Sequence, residues 1–196
     1  MPAVLELIRT RTRALHSQLE ERIDLQRALS SRAEYRSLLG SHLGLYRPFE
    51  SMLAAQPSSV RDLIQWPECS KLPPLERDMQ SLGATVNQIE QIPDCPGLPK
   101  LDTLDAVLGA LYVIEGSALG GQIIYRQIET SLHLDKDSGA SFFFGQGTNT
   151  GSNWKAFLGL LEEHVSFPEQ SAQTACAMFQ SFEHWLIHRT TSQELQ

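Results

Sequence analysis

The chain has 196 residues, of which 41% are hydrophobic and 20% charged, and its formal net charge at pH 7 is −7. These values are typical of one soluble domain spanning residues 1–196, and the acidic balance argues against a nucleic-acid-binding protein. The three cysteines are dispersed without a Cys-x-x-Cys motif, and the longest apolar run is too short to span a bilayer, so we expect a cytoplasmic protein without a disulfide framework, a zinc ribbon or a membrane segment.

Helical periodicity dominates the first third of the chain. Apolar residues spaced three and four apart predict one amphipathic helix over residues 3–23 and a longer one over residues 32–55. Shorter helices are expected over residues 24–29 and 58–66. Pro48 lies inside the pattern of the longer helix and should kink it.

The remainder of the chain is also helical, apart from two loop regions. Residues 66–100 contain six prolines, so we expect ordered loops there, interrupted by one helix over about 74–82. Residues 138–151 read as a second loop. Further helices are expected over residues 103–133, from Ser152 or Asn153 through Val165, and from Pro168 onward. Because no strand alternation occurs, the sequence predicts an all-α fold.

The predicted helix over residues 103–133 carries an unusual stripe of glycines. Gly116 and Gly120 are four residues apart and Gly121 follows directly, while Gly109 lies two turns earlier on nearly the same face. A glycine inside a helix costs about 1 kcal/mol relative to alanine, so the stripe needs a reason. One interpretation is close packing of a second helix. The other is a kinked helix whose bare backbone lies over a flat cofactor.

A candidate metal ligand lies on the first predicted helix. His16 is at the edge of the apolar face, and Glu20 follows one turn later, where it could orient the second ring nitrogen. Arg9 and Arg13 precede His16 on nearly the same side and could meet the propionates of a heme. The simpler interpretation is a histidine of the core and a solvated face of arginines.

Other kinds of site have little support. His184 and His188 have the spacing of a zinc pair, but no glutamate follows His184 as it does in zinc proteases. No Glu-x-x-His motif suggests a di-iron centre. Ser117 lies in a glycine-rich helix rather than in a nucleophile elbow, and the glycines do not follow a predicted strand as a nucleotide-binding loop would.

Three segments resemble heme oxygenases, in order and at the right separations along nearly the whole chain. Leu15-His16-Ser17-Gln18-Leu19-Glu20 resembles their proximal-ligand segment, and Tyr112 to Gly121 (Tyr-Val-Ile-Glu-Gly-Ser-Ala-Leu-Gly-Gly) resembles their distal helix. The third segment comprises Phe142-Phe143-Phe144-Gly145, Thr150-Gly151 and Trp154 to Leu158, and it resembles the loop and helix that follow. The resemblance is strongest to the bacterial biliverdin-producing branch, which includes members paired with bacteriophytochromes.

The resemblance implies a heme site with residue roles carried over position by position. His16 matches the proximal iron ligand and Glu20 the acid that hydrogen-bonds it. Gly116, Gly120 and Gly121 match the glycines whose backbone lies on the heme face. Tyr46 matches a tyrosine of the distal hydrogen-bond network, and Ser117 is a candidate proton relay. Arg9 and Lys155 match cations that pair with the propionates, with Arg13 near enough to help.

Two positions depart from the pattern of many animal and some bacterial members. Ser117 stands where those members carry an aspartate that orders distal water, and Gly159 stands where they carry a propionate-pairing arginine. The first departure concerns proton delivery, and the second concerns heme orientation and therefore the biliverdin isomer.

The activity that the resemblance implies is degradation of heme, both substrate and cofactor, to biliverdin, CO and ferrous iron. O₂ and an external electron donor such as a ferredoxin or a reductase would be required. The alternative is a non-catalytic heme carrier or sensor of the same fold, which the serine at position 117 favours. A helical interaction protein without a cofactor is the third hypothesis, and composition alone allows it.

Overall fold

Ten α-helices form the part of the chain that the computed structural model describes, which is residues 4–192, with side chains through residue 187. The helices are α1 (Val4–Arg22), α2 (Leu25–Ala28), α3 (Arg32–Ala54), α4 (Ser58–Leu63), α5 (Leu72–Ser81), α6 (Val86–Glu90), α7 (Leu104–Leu132), α8 (Ser141–Phe144), α9 (Thr150–His164) and α10 (Pro168–Ser192). A 3₁₀ turn at Gly147–Asn149 precedes α9. No strand occurs among these residues, and the predicted all-α class is confirmed.

The long helices begin and end close to their predicted bounds. The hydroxyl of Thr103 accepts a hydrogen bond of 3.2 Å from the backbone N–H of Ala106 and so caps the first turn of α7. At the other end His133 adopts a left-handed conformation with φ of 54°, which terminates the helix. Between these caps α7 is helical throughout, including all its glycines, and α3 continues through Pro48.

The prediction of the loop regions was wrong in two places. The proline-rich stretch contains α6, whose first turn is fixed by a reciprocal capping box between Thr85 and Gln88. The second predicted loop contains α8 and the 3₁₀ turn, and α9 begins at Thr150, earlier than expected. These elements are too short to give a periodic apolar pattern, so hydrophobic spacing could not reveal them.

The central helix of the fold is α7. It packs against α10, α9 and α8, while α1 lies on α10 and α3 lies on α5 and α10. By length and composition α7 is the one helix within residues 4–192 that could cross a membrane. However, Val107, Leu108 and Ala110 in its first half are completely buried against the rest of the protein, so here it is a core helix.

Candidate active site

A cavity of about 810 Å³ lies among α1, α3, α7 and α8. This volume is within the usual range for sites that bind small molecules and cofactors. Six of the ten residues predicted for the site border it, and they come from three different helices: His16, Glu20, Tyr46, Ser117, Gly120 and Gly121. The fold therefore brings the predicted ligand segment and the glycine segment to one cavity.

His16 and Glu20 form a pair on the α1 side of the cavity. The Nδ1 atom of His16 lies 3.3 Å from a carboxylate oxygen of Glu20, and the ring makes an edge contact with Phe179 at a centroid distance of 5.7 Å. The histidine side chain is 56% exposed. With Nδ1 engaged by the carboxylate, Nε2 is the nitrogen available to a ligand.

The glycines of α7 serve more than one purpose. A Cβ atom at Gly109 would collide with the backbone of Ser171, so this glycine permits close packing of α10. A Cβ at Gly116 would touch the ring of Trp154 at 3.4 Å. A Cβ at Gly120 would meet nothing within 4 Å, and this residue borders the cavity. Helix packing and a bare cavity wall, which the sequence left as alternatives, therefore occur on the same helix.

Tyr46 and Ser117 form a polar spot in the cavity wall. Tyr46 is only 2% exposed, and burial raises the pKa of its phenol. A hydrogen bond with the Ser117 side chain acts on this pKa in the opposite direction. The Ser117 hydroxyl also donates a 2.7 Å hydrogen bond to the carbonyl of Ile114. Both hydroxyl groups are thus held in place and remain next to the cavity.

The remaining predicted site residues lie outside the cavity lining. Arg9, Arg13 and Lys155 are exposed, and Gly116 is covered by Trp154. Arg9 is close to the phenol of Tyr112. Burial raises the pKa of Tyr112, while a hydrogen bond and the positive charge of Arg9 oppose this shift. None of the three cations lines the cavity.

His42 borders the cavity, and it was not predicted from the sequence as a site residue. It is 9% exposed and packs against the rings of Tyr46, Phe142 and Phe182. Its Nδ1 lies 2.9 Å from the carbonyl of Leu38. Burial lowers the pKa of His42 to about 4, so the ring is neutral at pH 7 and Nδ1 donates to that carbonyl.

The aromatic wall formed by α8 was predicted as loop, and a buried carboxylate positions it. The oxygens of Asp78 accept hydrogen bonds from the backbone N–H of Ser141 (3.0 Å), from its hydroxyl (2.6 Å) and from the backbone N–H of Phe142 (2.7 Å). Gln122 of α7 donates a 2.7 Å hydrogen bond to the carbonyl of Phe144. These bonds tie α8 to α5 and α7 and hold three phenylalanines at the cavity.

Metal sites other than the predicted histidine have no support in the described residues. No group of three or more histidine, cysteine, aspartate or glutamate side chains is arranged to hold an ion there. The side chain of His188, one half of the histidine pair on α10, lies outside the described residues.

The fold and the cavity define an all-helical protein with a cofactor-sized cavity bordered by residues of α1 and α7. A sequence model of the heme oxygenase family matches residues 3–187, so the chain belongs to this family. The family activity is degradation of heme, which makes the chain an enzyme of that class.

Solved structures of heme oxygenases share the fold at low sequence identity. Heme oxygenase 2 from Chlamydomonas reinhardtii, solved without heme, has a TM-score of 0.76 and 16% identity, with 94% of this chain and 96% of that chain covered. The heme oxygenase of Leptospira interrogans has a TM-score of 0.76 and 16% identity, covering 95% and 99%. Heme oxygenase-1 of the cyanobacterium Synechocystis sp., in complex with heme, has a TM-score of 0.72 and 15% identity, covering 98% and 96%. No curated protein sequence matches this chain.

The cavity fits heme on its own geometry. It has the volume for a drug-sized or larger ligand, an imidazole on the α1 wall and a position on the α7 wall where no side chain projects. Neutral imidazole is an established axial ligand of heme iron.

Proposed function

We propose that the cavity holds heme with His16 as the axial ligand of its iron, and that the chain converts this heme to biliverdin, CO and ferrous iron. The proposal rests on two residues that border the same cavity: His16 supplies an imidazole, and Gly120 leaves its part of the α7 wall without a side chain. Bound heme supplies the iron that activates O₂ and is itself the substrate that is oxidised.

Glu20 is proposed to orient His16. A carboxylate at Nδ1 fixes the tautomer in which Nε2 carries the lone pair. Because the pair lies within one helix at a spacing of four residues, the orientation survives motion of α1 relative to the other helices.

The glycines of α7 are proposed to control which groups approach the edge of the heme that reacts. Gly120 and Gly121 contribute backbone instead of a histidine or arginine that would favour peroxidase-like chemistry, whereas Gly116 lies under the ring of Trp154. Protons then have to come from hydroxyl groups and water. Ser117 and Tyr46 are the hydroxyls that border the cavity, and they are proposed as the relay.

The propionates are proposed to pair with the exposed cations Arg9, Arg13 and Lys155. Gly159, where many members carry an arginine, adds no charge. Exposed ion pairs contribute about 0.2–1 kcal/mol each, so the pocket walls and these cations together set the rotation of heme in its plane.

The electrons are proposed to come from a soluble donor such as a ferredoxin or a reductase, in the cytoplasm. Supply of a bilin chromophore to a bacteriophytochrome is one use of the product, and acquisition of iron is the other.

A spectral titration tests the function. Hemin is added to the purified protein, the Soret band is recorded, and a reductant is then added in air. Loss of the band together with growth of a broad red biliverdin absorption supports the proposal. A band that persists indicates a carrier or sensor, and the absence of a band indicates a protein that does not bind heme.

A further inference from the structure

The polar end of the cavity is the part of its wall that contains Ser117, Tyr46, Glu115, Lys71 and Ser70. Neither the family resemblance nor the proposed roles use Glu115, Lys71 or Ser70. Glu115 lies on α7, two residues before Ser117. Ser70 and Lys71 lie directly before α5, in the proline-rich region, and tertiary packing brings them to the cavity.

Lys71 and Glu115 form an ion pair within this wall. The Nζ atom of Lys71 lies 3.2 Å from one carboxylate oxygen of Glu115 and 3.4 Å from the other. The two side chains are only 22% and 23% exposed. Because charges are costly to remove from water, a shielded ion pair in the cavity wall requires a structural or a chemical reason.

A buried acid, Glu50 of α3, holds the backbone next to this pair. Its carboxylate accepts a 2.6 Å hydrogen bond from the Ser70 hydroxyl and a 2.7 Å hydrogen bond from the backbone N–H of Lys71. Glu50 is 3% exposed, and burial raises its pKa, with the hydrogen bonds from Ser70 and Lys71 opposing that shift. The backbone that carries Lys71 is therefore fixed by a buried acid.

The charges of this cluster act on the phenol of Tyr46. The negative charges of Glu115 and Glu50 both raise the pKa of Tyr46, in addition to the larger effect of burial. Cys69, also in the cavity wall, has its pKa raised to about 11 by burial and Glu115, with Lys71 acting in the opposite direction. Tyr46, Ser117, Glu115 and Lys71 all border the cavity.

We propose that the Lys71–Glu115 pair, held by Glu50, orders water at the polar end of the cavity and so positions the path by which protons reach Tyr46 and Ser117. A proton entering from solvent passes through this water, and each hydroxyl releases one proton toward the cavity as it accepts another. Glu115 and Lys71 are positioning residues, since they act through water and the hydroxyls. The proposal rests on the proposed function, because only a reaction that consumes protons needs the path.

The first test removes the charge of Glu115 or of Lys71 and measures a property of the hemin complex that does not require turnover. In the ferric hemin complex, the pH midpoint of the acid-to-alkaline change in the visible spectrum reports ionisation of water in the cavity. Glu115→Gln leaves an uncompensated cation and should lower this midpoint, whereas Lys71→Gln leaves an uncompensated anion and should raise it. Both variants break the same ion pair between Lys71 and Glu115, so a purely structural effect would shift the midpoint in the same direction. Shifts in opposite directions therefore report the charges. Unchanged midpoints, or equal shifts in one direction, would overturn the proposal.

The second test measures single-turnover heme loss in the same variants. We expect the hemin Kd of Glu115→Gln to stay within about twofold while its turnover rate falls about tenfold or more and its solvent deuterium isotope effect rises. Glu115→Asp should retain most of the rate. Glu129→Gln, on the exposed part of the same helix, is the matched control and should behave as the wild type.

A charge-swapped double variant separates a proton path from a simple tether between α5 and α7. Lys71→Glu combined with Glu115→Lys keeps an ion pair but inverts the charge next to Ser117. Recovery of the wild-type rate would make the pair a tether and overturn the proposal, whereas continued loss supports it. Wild-type protein that binds hemin without degrading it would instead refute the proposed function, and the midpoint shifts would still decide the role of the pair.

Discussion

The backbone carbonyl of Ser171 lies where a side chain at Gly109 would have to be, so α7 and α10 touch through their main chains at this point. Eleven residues later on the same helix, Gly120 faces open space at the cavity. The glycine stripe therefore serves two purposes, close helix packing at Gly109 and an open cavity wall at Gly120, and mutations can separate them.

Gly120→Leu should block the cavity without damaging the fold. Leucine is the better helix former by up to about 1 kcal/mol, and a Cβ at this position meets no atom. We expect an unchanged or higher melting temperature of the heme-free protein together with loss of hemin affinity. Gly109→Ala is the matched control, and it should destabilise the fold by about 1–3 kcal/mol through overpacking. Normal hemin binding by Gly120→Leu would assign this glycine to packing as well.

His42 should make the stability of the protein depend on pH. Its pKa is about 4 in the fold because it is buried, compared with 6.5 for an unperturbed histidine. As the pH falls from 6.5 toward 4, the unfolded chain binds a proton that the folded protein does not bind, so stability is lost. The full effect is about 3 kcal/mol.

Urea unfolding of the wild type and of His42→Gln at pH 7 and pH 4.5 measures this effect. The difference in unfolding free energy between the two proteins should shift in favour of the variant at the lower pH. A difference independent of pH would mean that the imidazole titrates alike in the folded and unfolded chain.

Arg9 and Lys155 should influence the biliverdin isomer. We expect a dominant α isomer in the wild type. Arg9→Ala or Lys155→Ala should weaken hemin binding about two- to fivefold, as is typical of exposed ion pairs, and at least one of them should yield a second isomer. Chromatography of the products after complete turnover measures the ratio. Arg11→Ala is the control, because Arg11 pairs with Glu169 of α10 at 3.0 Å instead. Wild-type ratios and affinities in both variants would leave heme orientation to the shape of the pocket.

The parts of this molecule that follow local rules could be predicted from its sequence. The bounds of α7 follow from a threonine cap and an unbroken apolar pattern, and its glycines are visible directly in the sequence. The residues Thr85 and Gln88 have the spacing of a capping box, so the sequence also indicates the start of α6, which apolar spacing alone does not predict.

The parts of the site that depend on long-range packing could not be predicted. Asp78 fixes α8 across more than sixty residues of sequence, and Lys71 reaches Glu115 from a stretch that reads as loop. Periodicity carries no information about which loop closes over a cavity. For the same reason, the sequence could not reveal that Arg9 and Lys155 lie outside the cavity lining.

The most direct test of the account is the hemin complex of His16→Ala, measured with and without added imidazole. Removing the side chain should leave the iron without its axial protein ligand, so the Soret band should shift, hemin should bind weakly, and turnover to biliverdin should be largely lost. Imidazole that diffuses into the space left by the side chain should restore part of the spectrum and part of the turnover. An unchanged spectrum and wild-type turnover in His16→Ala would contradict the assignment of His16 as the ligand.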